Sequence, residues 1–349
     1  MSHATSFTSI PVIDISALRS TDAAATYEVA AEIGKAAREV GFFYVAGTGL
    51  DEGLFDRVLT VTKQFFALPL EEKMRSYIGL SKCHRGYIPT DEEEPEGSIR
   101  NPDLKESFSL ATDLPADDPD FLAGNPLLGP NLWPDTPGFE DAVDDYYEAV
   151  FEVGQLLWRP FAVALGEEPD YFERQAAKTI SHMGLVYYPR VPDGEDRLGV
   201  SEHSDYECFT MLEATGPGLE ALNGDRDWIG IPPIPGTLIV NIGDMLELWS
   251  NGEFIATTHR VRNVPEDRYS FPLFFNVDYD TVVKPLPRFA SRDGAAPLAL
   301  RAGEHLFAQY VQTFRYLRSR IERGEAVMPE SFVRYGAFGQ GAVQRRRQT

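Results

Sequence analysis

Cysteine is scarce in this chain. There are two in 349 residues, Cys83 and Cys208, too few and too far apart to frame a disulfide scaffold, so reduced thiols and a cytoplasmic address are expected. Positive charge is scarce too. With 32 Lys and Arg against 54 Asp and Glu, the formal charge is −22. That balance argues against nucleic acid or an anionic membrane as partner, because both require a basic face; the excess reads as a solvated surface. No apolar run approaches the roughly 18 residues that span a bilayer. The opening MSHATSFTS lacks a basic cluster leading into an apolar core, so no signal peptide is expected. No internal repeat is visible, and the one biased segment is the basic tail Arg345 to Arg347, expected to be disordered.

What is present is apolar and aromatic. Apolar residues make up 43% and aromatics 12%, enough for a packed globular core. Ile10 to Leu18 reads as a short strand ending in a turn or cap at Asp14 and Ser16. Tyr27, Val29, Ile33, Ala36 and Val40 recur at helical spacing over Ala24 to Val40, and Gly41 stops that helix. Phe42 to Val45 is a strand. A second amphipathic helix runs from Asp51, its cap, to Phe66. Helical spacing resumes from Phe139 to Leu165, to be kinked or divided by Pro160. A short helix is expected from Asp170 to Ala177 and a last one from Gly303 to Arg323.

Two stretches differ. Lys82 to Pro119 is broken by Pro, Gly and the acidic run Asp91 to Glu94. It reads equally as a strand-and-loop segment over a site or as a solvated loop. From Ile180 to Val283 the runs are short, alternating and bounded by turns such as Asn223-Gly224 and Pro235-Gly236. Six to eight such strands make a double-sheet jelly roll or barrel, with helices from both ends of the chain packed against it in one α+β domain.

Within that β-rich stretch, His203 and Asp205 flank one residue of VSEHSDYECFTML. If this run is a strand, both side chains point to one face and can share a metal. His259, in the strand-like ATTHRVRNV, then has to return beside them. Two imidazoles and one carboxylate suit an oxygen-activating iron(II), because they leave one face of the octahedron open for O2 and a co-substrate. Arg268 and Ser270 again share a strand face, and an Arg fork beside a hydroxyl is a carboxylate clamp. The other histidines serve as controls: His3 is terminal, His84 lies in the loop segment, His305 is on a helix, and His182 reads as packed or supporting. Trp228 and Trp249 read as core.

The set His203-x-Asp205, His259 and Arg268-x-Ser270, with GDMLELWSNGEFIATTHRV leading into the second histidine, resembles the iron(II)- and 2-oxoglutarate-dependent dioxygenases of the isopenicillin N synthase-like group. IPVIDIS, REVGFFYVAGTGL, FFALPLEEK and KESFSLATDLP resemble other parts of that group, so the similarity covers Ile10 to Tyr316. The resemblance implies a distorted double-stranded β-helix (jelly roll) flanked by N- and C-terminal helices. It further implies one catalytic domain over 1–349, with a dioxygenase-type N-terminal region at 10–120, an iron-bearing core at 179–285 and a C-terminal helix at 303–323. The cofactors implied are Fe(II), 2-oxoglutarate as co-substrate, and O2. The reaction would hydroxylate, desaturate or cyclise a small molecule, a small organic acid or natural-product intermediate, releasing succinate and CO2.

The resemblance also points to Tyr188, which precedes Pro189 where the group often has a carboxylate-binding tyrosine. Val186 departs from the Asn that many 2-oxoglutarate enzymes carry two residues earlier. Arg85 resembles a substrate-binding arginine of the synthase itself, one residue out of register, and reads equally as a solvated loop residue. Phe332 to Phe338 is expected to help form the pocket. Two rivals stand beside this reading: a 2-oxoglutarate-independent iron oxidase of the synthase type, and a non-redox metal-binding jelly roll.

Overall fold

In the computed structural model, residues 4–20, 23–93, 103–190, 198–262, 266–290 and 298–329 are described. His3, Glu94, Phe332 to Phe338 and Arg345 to Arg347 lie outside them.

The strands that carry the site are β1 (Val12–Asp14), β2 (Phe42–Ala46), β3 (Gly86–Ile88), β4 (Glu106–Ala111), β5 (His182–Tyr188), β6 (Leu198–His203), β7 (Phe209–Ala214), β8 (Leu219–Leu222), β9 (Trp228–Gly230), β10 (Leu238–Ile242), β11 (His259–Arg262) and β12 (Arg268–Phe275). They form an eight-stranded sheet in the order β1-β2-β10-β7-β12-β5-β4-β3 and a four-stranded sheet in the order β6-β11-β8-β9. Only β1 and β2 pair in parallel within these two sheets, among the described residues; the other pairs are antiparallel. Two facing antiparallel sheets with helices on one outer face are the expected α+β jelly roll.

Strand alternation sorts side chains between two cores. On β2, Phe43 and Val45 point to a helix-covered core, whereas Phe42 and Tyr44 point between the sheets. Leu54, Val58, Thr62, Phe65 and Phe66 are buried along the helix Leu54–Phe66. Phe65 packs edge-on against Phe108 of β4 at 5.4 Å. Phe209 stacks on Phe275 at 4.5 Å and meets Trp158 at 4.9 Å. Each such ring contributes about 1.5–3 kcal/mol by burial.

Gly41 ends the first helix, Ala23–Glu39, with φ +73°, and a Cβ there would lie 2.3 Å from both the Ile255 carbonyl and the Thr257 hydroxyl. This close approach lets Thr257 donate to the Val40 carbonyl at 2.6 Å. The N-terminal helix is thereby tied to the segment that leads into His259.

Several element boundaries differ from expectation. The helix read from Asp51 starts at Leu54 without a side-chain cap; Asp51 instead accepts from the Gly53 amide at 3.0 Å. The helix Phe139–Gln155 ends at Leu156, and a separate one, Trp158–Ala164, holds Pro160 in its first turn, where no amide donor is needed. Asp170 to Ala177 contains one 3-10 turn, Glu173–Gln175. The last helix is two, Ala302–Thr313 and Arg315–Glu322, because Phe314 is extended and the next amides turn to Glu92: Arg315 N to its carbonyl at 3.1 Å and Tyr316 N to its carboxyl at 2.7 Å. Trp249 is buried as expected, but Trp228 is only half-buried, its ring covered by the Arg260 guanidinium at 4.0 Å.

Candidate metal centre and adjoining cavity

β6 ends at His203, and β11 pairs with it so that His259 stands directly opposite. The two rings lie 4.2 Å apart. Asp205 reaches them by another route than the one expected. VSEHSDYECFTML is two strands, and Asp205 sits in the turn where the chain leaves the small sheet at His203 and enters the large one at Phe209. The turn is fixed by backbone. Gly243 N donates to Cys208 O at 2.8 Å, Asp244 N to Asp205 O at 2.8 Å and Met245 N to Glu207 O at 3.1 Å. A Cβ on Gly243 would stand 2.2 Å from the Glu207 carbonyl oxygen. The glycine of GDMLELW is therefore what lets this turn close, and the turn aims Asp205.

The result is a cluster of three ligand atoms within 4.8 Å of one another. Asp205 Oδ1 lies 3.6 Å from His203 Nε2 and 3.4 Å from His259 Nε2. His203 Nδ1 is 2.7 Å from the Ser201 carbonyl, and His259 Nδ1 is 3.0 Å from the Thr257 carbonyl. A carbonyl only accepts, so each Nδ1 carries a proton and each Nε2 is the nitrogen turned to the cluster. Asp205 Oδ2 accepts from Asn241 Nδ2 at 2.7 Å and from the Thr210 hydroxyl, which leaves Oδ1 toward the imidazoles. Burial by itself would raise the Asp205 carboxyl, but His259, His203 and the Asn241 hydrogen bond outweigh it and hold the group well below the usual carboxylate range. Burial and then His259 push His203 down to about 4. For His259 burial acts downward, yet Asp205 outweighs it and raises the imidazole. A divalent metal requires both imidazoles neutral and the carboxylate ionised, so its binding displaces the proton that Asp205 favours on His259. The donor set fits iron(II), and its open side suits a co-substrate and O2.

Arg268 and Ser270 do share a face of β12, and both are buried. Arg268 pairs in register with Tyr188, and its guanidinium lies over that ring at 4.9 Å. Nε donates to the Gly216 carbonyl at 3.2 Å, while Nη1 is buried without a protein acceptor. An orphaned guanidinium N–H is costly unless an acceptor arrives, which fits a carboxylate-bearing co-substrate. Tyr188 packs against the backbone of Gly199 and faces between the sheets, whereas Tyr187 belongs to the helix-side core. Ser270 pairs with Val186, so the departure noted at Val186 sits beside the clamp.

A cavity of about 230 Å³ opens next to the cluster. His203 and Asp205 form one wall; Ser107, Gly184, Val186 and Phe274 form another, and Tyr310 and Phe314 close it. Arg268, Ser270, Tyr188 and His259 stand behind the wall and do not line it. The Lys82 to Pro119 segment does lie over the site: His84, Ile88, Asp103, Lys105 and Phe108 line the cavity. Arg85 is neither solvated nor in the wall. It is buried and donates to the carbonyls of Cys83 at 2.7 Å, His84 at 3.2 Å and Leu127 at 2.7 Å, because the loop folds over its guanidinium.

Sequence reading did not single out several residues that hold Asp205 or line the cavity. Asn241 carried a signal, being a polar residue amid the apolar run LIVNI. Thr210 alternates with Phe209 and Met211 and carried a weaker one. His84, read as a control, lines the cavity at φ +64° and stacks on Tyr310 at 4.1 Å. His182 and Glu207 also line it.

The sequence and the fold recur in known proteins. Residues 10–136 match a model described as non-haem dioxygenase in morphine synthesis N-terminal, and residues 179–277 match the 2OG-Fe(II) oxygenase superfamily. Homoarginine-6-hydroxylase 2-ODD-C23 of Glycine max is 34% identical over 331 residues, covering 89% of this chain and 99% of that protein. The 2-oxoglutarate-Fe(II) type oxidoreductase hxnY of Emericella nidulans is 32% identical over 290 residues, covering 80% and 83%. Among solved structures, a full-length Neurospora crassa protein in complex with alpha-KG and thymine superposes with a TM-score of 0.74 at 25% identity, over 87% of this chain and 96% of that one. With kinship over nearly its whole length, this chain belongs to the 2OG-Fe(II) oxygenase superfamily and is an iron(II)- and 2-oxoglutarate-dependent dioxygenase.

Proposed function

We propose that His203, Asp205 and His259 hold the iron(II), that Arg268 and Ser270 beside Tyr188 bind the far carboxylate of 2-oxoglutarate, and that the cavity takes a small organic substrate for hydroxylation. One observation carries this reading. Both imidazoles turn Nδ1 to a backbone carbonyl, so both Nε2 atoms and one Asp205 oxygen converge within 4.8 Å of one another.

When bound, iron(II) with 2-oxoglutarate supplies the O2-dependent oxidation that yields succinate, CO2 and a functionalised substrate C–H. The chain's own residues do the rest. Thr210 and Asn241 fix the Asp205 carboxylate, which keeps its free oxygen in place without rotamer loss on metal binding. Arg268 offers its unpaired N–H to a carboxylate in a charge-assisted bond. Phe274, Tyr310 and Phe314 exclude bulk water from the cavity, so that substrate rather than solvent meets the reacting centre.

Hydroxylation is favoured over desaturation or cyclisation by the relatives whose names state hydroxylation, homoarginine-6-hydroxylase among them. The cavity volume favours a compact substrate, consistent with the expected small organic acid or trimmed natural-product intermediate. Oxygen uptake measured with and without 2-oxoglutarate tests the reaction, and Arg268→Ala tests the clamp. The variant should raise the 2-oxoglutarate concentration required for half-maximal rate by about 10- to 100-fold. An unchanged requirement removes Arg268 from that role.

A further inference from the structure

We propose that Asp103 is a positioning residue for the iron centre: its carboxylate fastens Ser201 and, through the Ser201 carbonyl, aims the His203 imidazole. The inference rests on His203 as an iron ligand and adds a residue of the N-terminal region on which that ligand depends.

The two histidines are held unequally. His259 stands on β11, which has β6 on one side and β8 on the other, and its side chain is 7% exposed. His203 closes β6, the edge strand of the small sheet, and its side chain is 30% exposed. The ladder between β6 and β11 also slips just before the ligand. His259 pairs with His203 and Val261 with Val200, so the step on β6 is one residue longer than the step on β11. An extra residue in one strand disrupts the ladder locally and lets that strand bend. Ser201 falls in this interval. An edge strand with a slipped ladder does not by itself hold an imidazole to the tolerance that a metal site demands.

The segment leading into β4 makes up the deficit. Asp103 Oδ1 accepts from the Ser201 amide at 3.0 Å and from the Ser201 hydroxyl at 2.8 Å. One residue on, the Leu104 amide donates to the Leu198 carbonyl at 3.3 Å, a second tie to the same strand. The carboxylate thus stands in for a ladder acceptor in the slipped stretch. The Ser201 carbonyl in turn accepts from His203 Nδ1 at 2.7 Å, so the contacts run from Asp103 through Ser201 to the ligand. Their far end is firm: β4 begins at Glu106 and is paired on both sides, with β3 and with β5. Asp103 therefore bridges the large sheet to the small one beside the metal cluster. Outer contacts of this kind set the ring orientation of a metal-binding histidine.

The test titrates the full metal-free chain with iron(II) without air, against a competing chelator, and follows thermal unfolding of the metal-free protein in parallel. Asp103→Ala should weaken iron binding about five- to tenfold, less than the loss of a direct partner of the imidazole. Asp103→Asn, whose amide oxygen accepts the same two bonds, should stay within about twofold of the parent chain. With cobalt(II) in place of iron, the visible absorption bands, which report ligand geometry, should shift in Asp103→Ala and return in Asp103→Asn. A lowered unfolding midpoint with iron affinity and cobalt bands unchanged makes the residue merely structural and overturns the proposal. Equal losses in the alanine and asparagine variants overturn it too, since charge and not aim would then be at work. If Asp103→Ala does not fold, Ser201→Ala, which deletes the hydroxyl donor and keeps the amide, carries the test. Its iron affinity should fall about two- to threefold, and an unchanged value overturns the proposal. His203→Ala in the same titration separates the two readings. Undiminished iron binding in that variant sinks the ligand assignment and this inference with it, whereas its loss there beside full affinity in Asp103→Ala sinks this inference alone.

Discussion

The two faces of the large sheet are built from the same strands and do opposite work. On β7, Phe209 and Met211 enter the helix-covered core, while Thr210 and Leu212 face between the sheets. On β10, Val240 and Ile242 are core and Asn241 holds Asp205. On β12, Phe271, Leu273 and Phe275 are core, and Arg268 and Ser270, the proposed clamp, are buried on the opposite face. One face is closed, apolar and crowded with rings; the other buries a second apolar cluster but carries among it the polar side chains Thr210, Asn241, Arg268 and Ser270. Stability and chemistry are thus separated by a single residue of strand register.

That separation can be broken experimentally. Asp205→Ala should abolish iron binding and turnover, measured by metal content after anaerobic loading and by oxygen uptake, with the protein still folded by circular dichroism. If iron binds to the variant, the carboxylate is not a ligand. Phe275→Ala is the converse. It should cost about 3–5 kcal/mol of unfolding free energy and leave the iron affinity of the folded fraction unchanged; a parallel loss of iron affinity would show that the faces are coupled. Asn241→Ala probes the boundary and should weaken iron binding about 10- to 100-fold, with turnover restored at saturating iron.

The smallest effect is one of pH. His305 is buried in the helix Ala302–Thr313, and burial lowers its pKa to about 4 from an ordinary 6.5. The folded protein therefore binds its proton less readily than the unfolded chain. His305 stability is complete above pH 6.5 and declines as pH falls toward 4. Replacing it with Gln should flatten the pH dependence of unfolding by about 1 kcal/mol between pH 6.5 and about 5.5. An unaltered slope would mean that the histidine is solvated.

Much of the site was legible because it is written in short range. His203-x-Asp205 and Arg268-x-Ser270 are two-residue spacings, and alternating runs predicted the strands that carry His203, Arg268 and Ser270. The failures share a cause. Asp205 lies on a turn rather than a strand because Gly243, distant in sequence, supplies the backbone that folds it. The last helix breaks at Phe314 because Glu92 captures the amides beyond it. Arg85 is buried because Leu127 O and the loop behind it close over the guanidinium. Glu207 gave no signal, since nothing local marks a carboxyl as lining a cavity, whereas His182 was read as packed or supporting and does stand in the cavity wall.

The amino-acid sequence by itself determined which residues are able to bind metal and that Arg268 and Ser270 share a strand face, because side-chain chemistry and the pleat of an extended chain are local properties. Only the tertiary structure decided that three ligand atoms meet within 4.8 Å of one another and that Arg268 Nη1 is buried without an acceptor among the described residues. Those are consequences of packing between segments far apart in the chain, and packing fixes position, burial and solvation together.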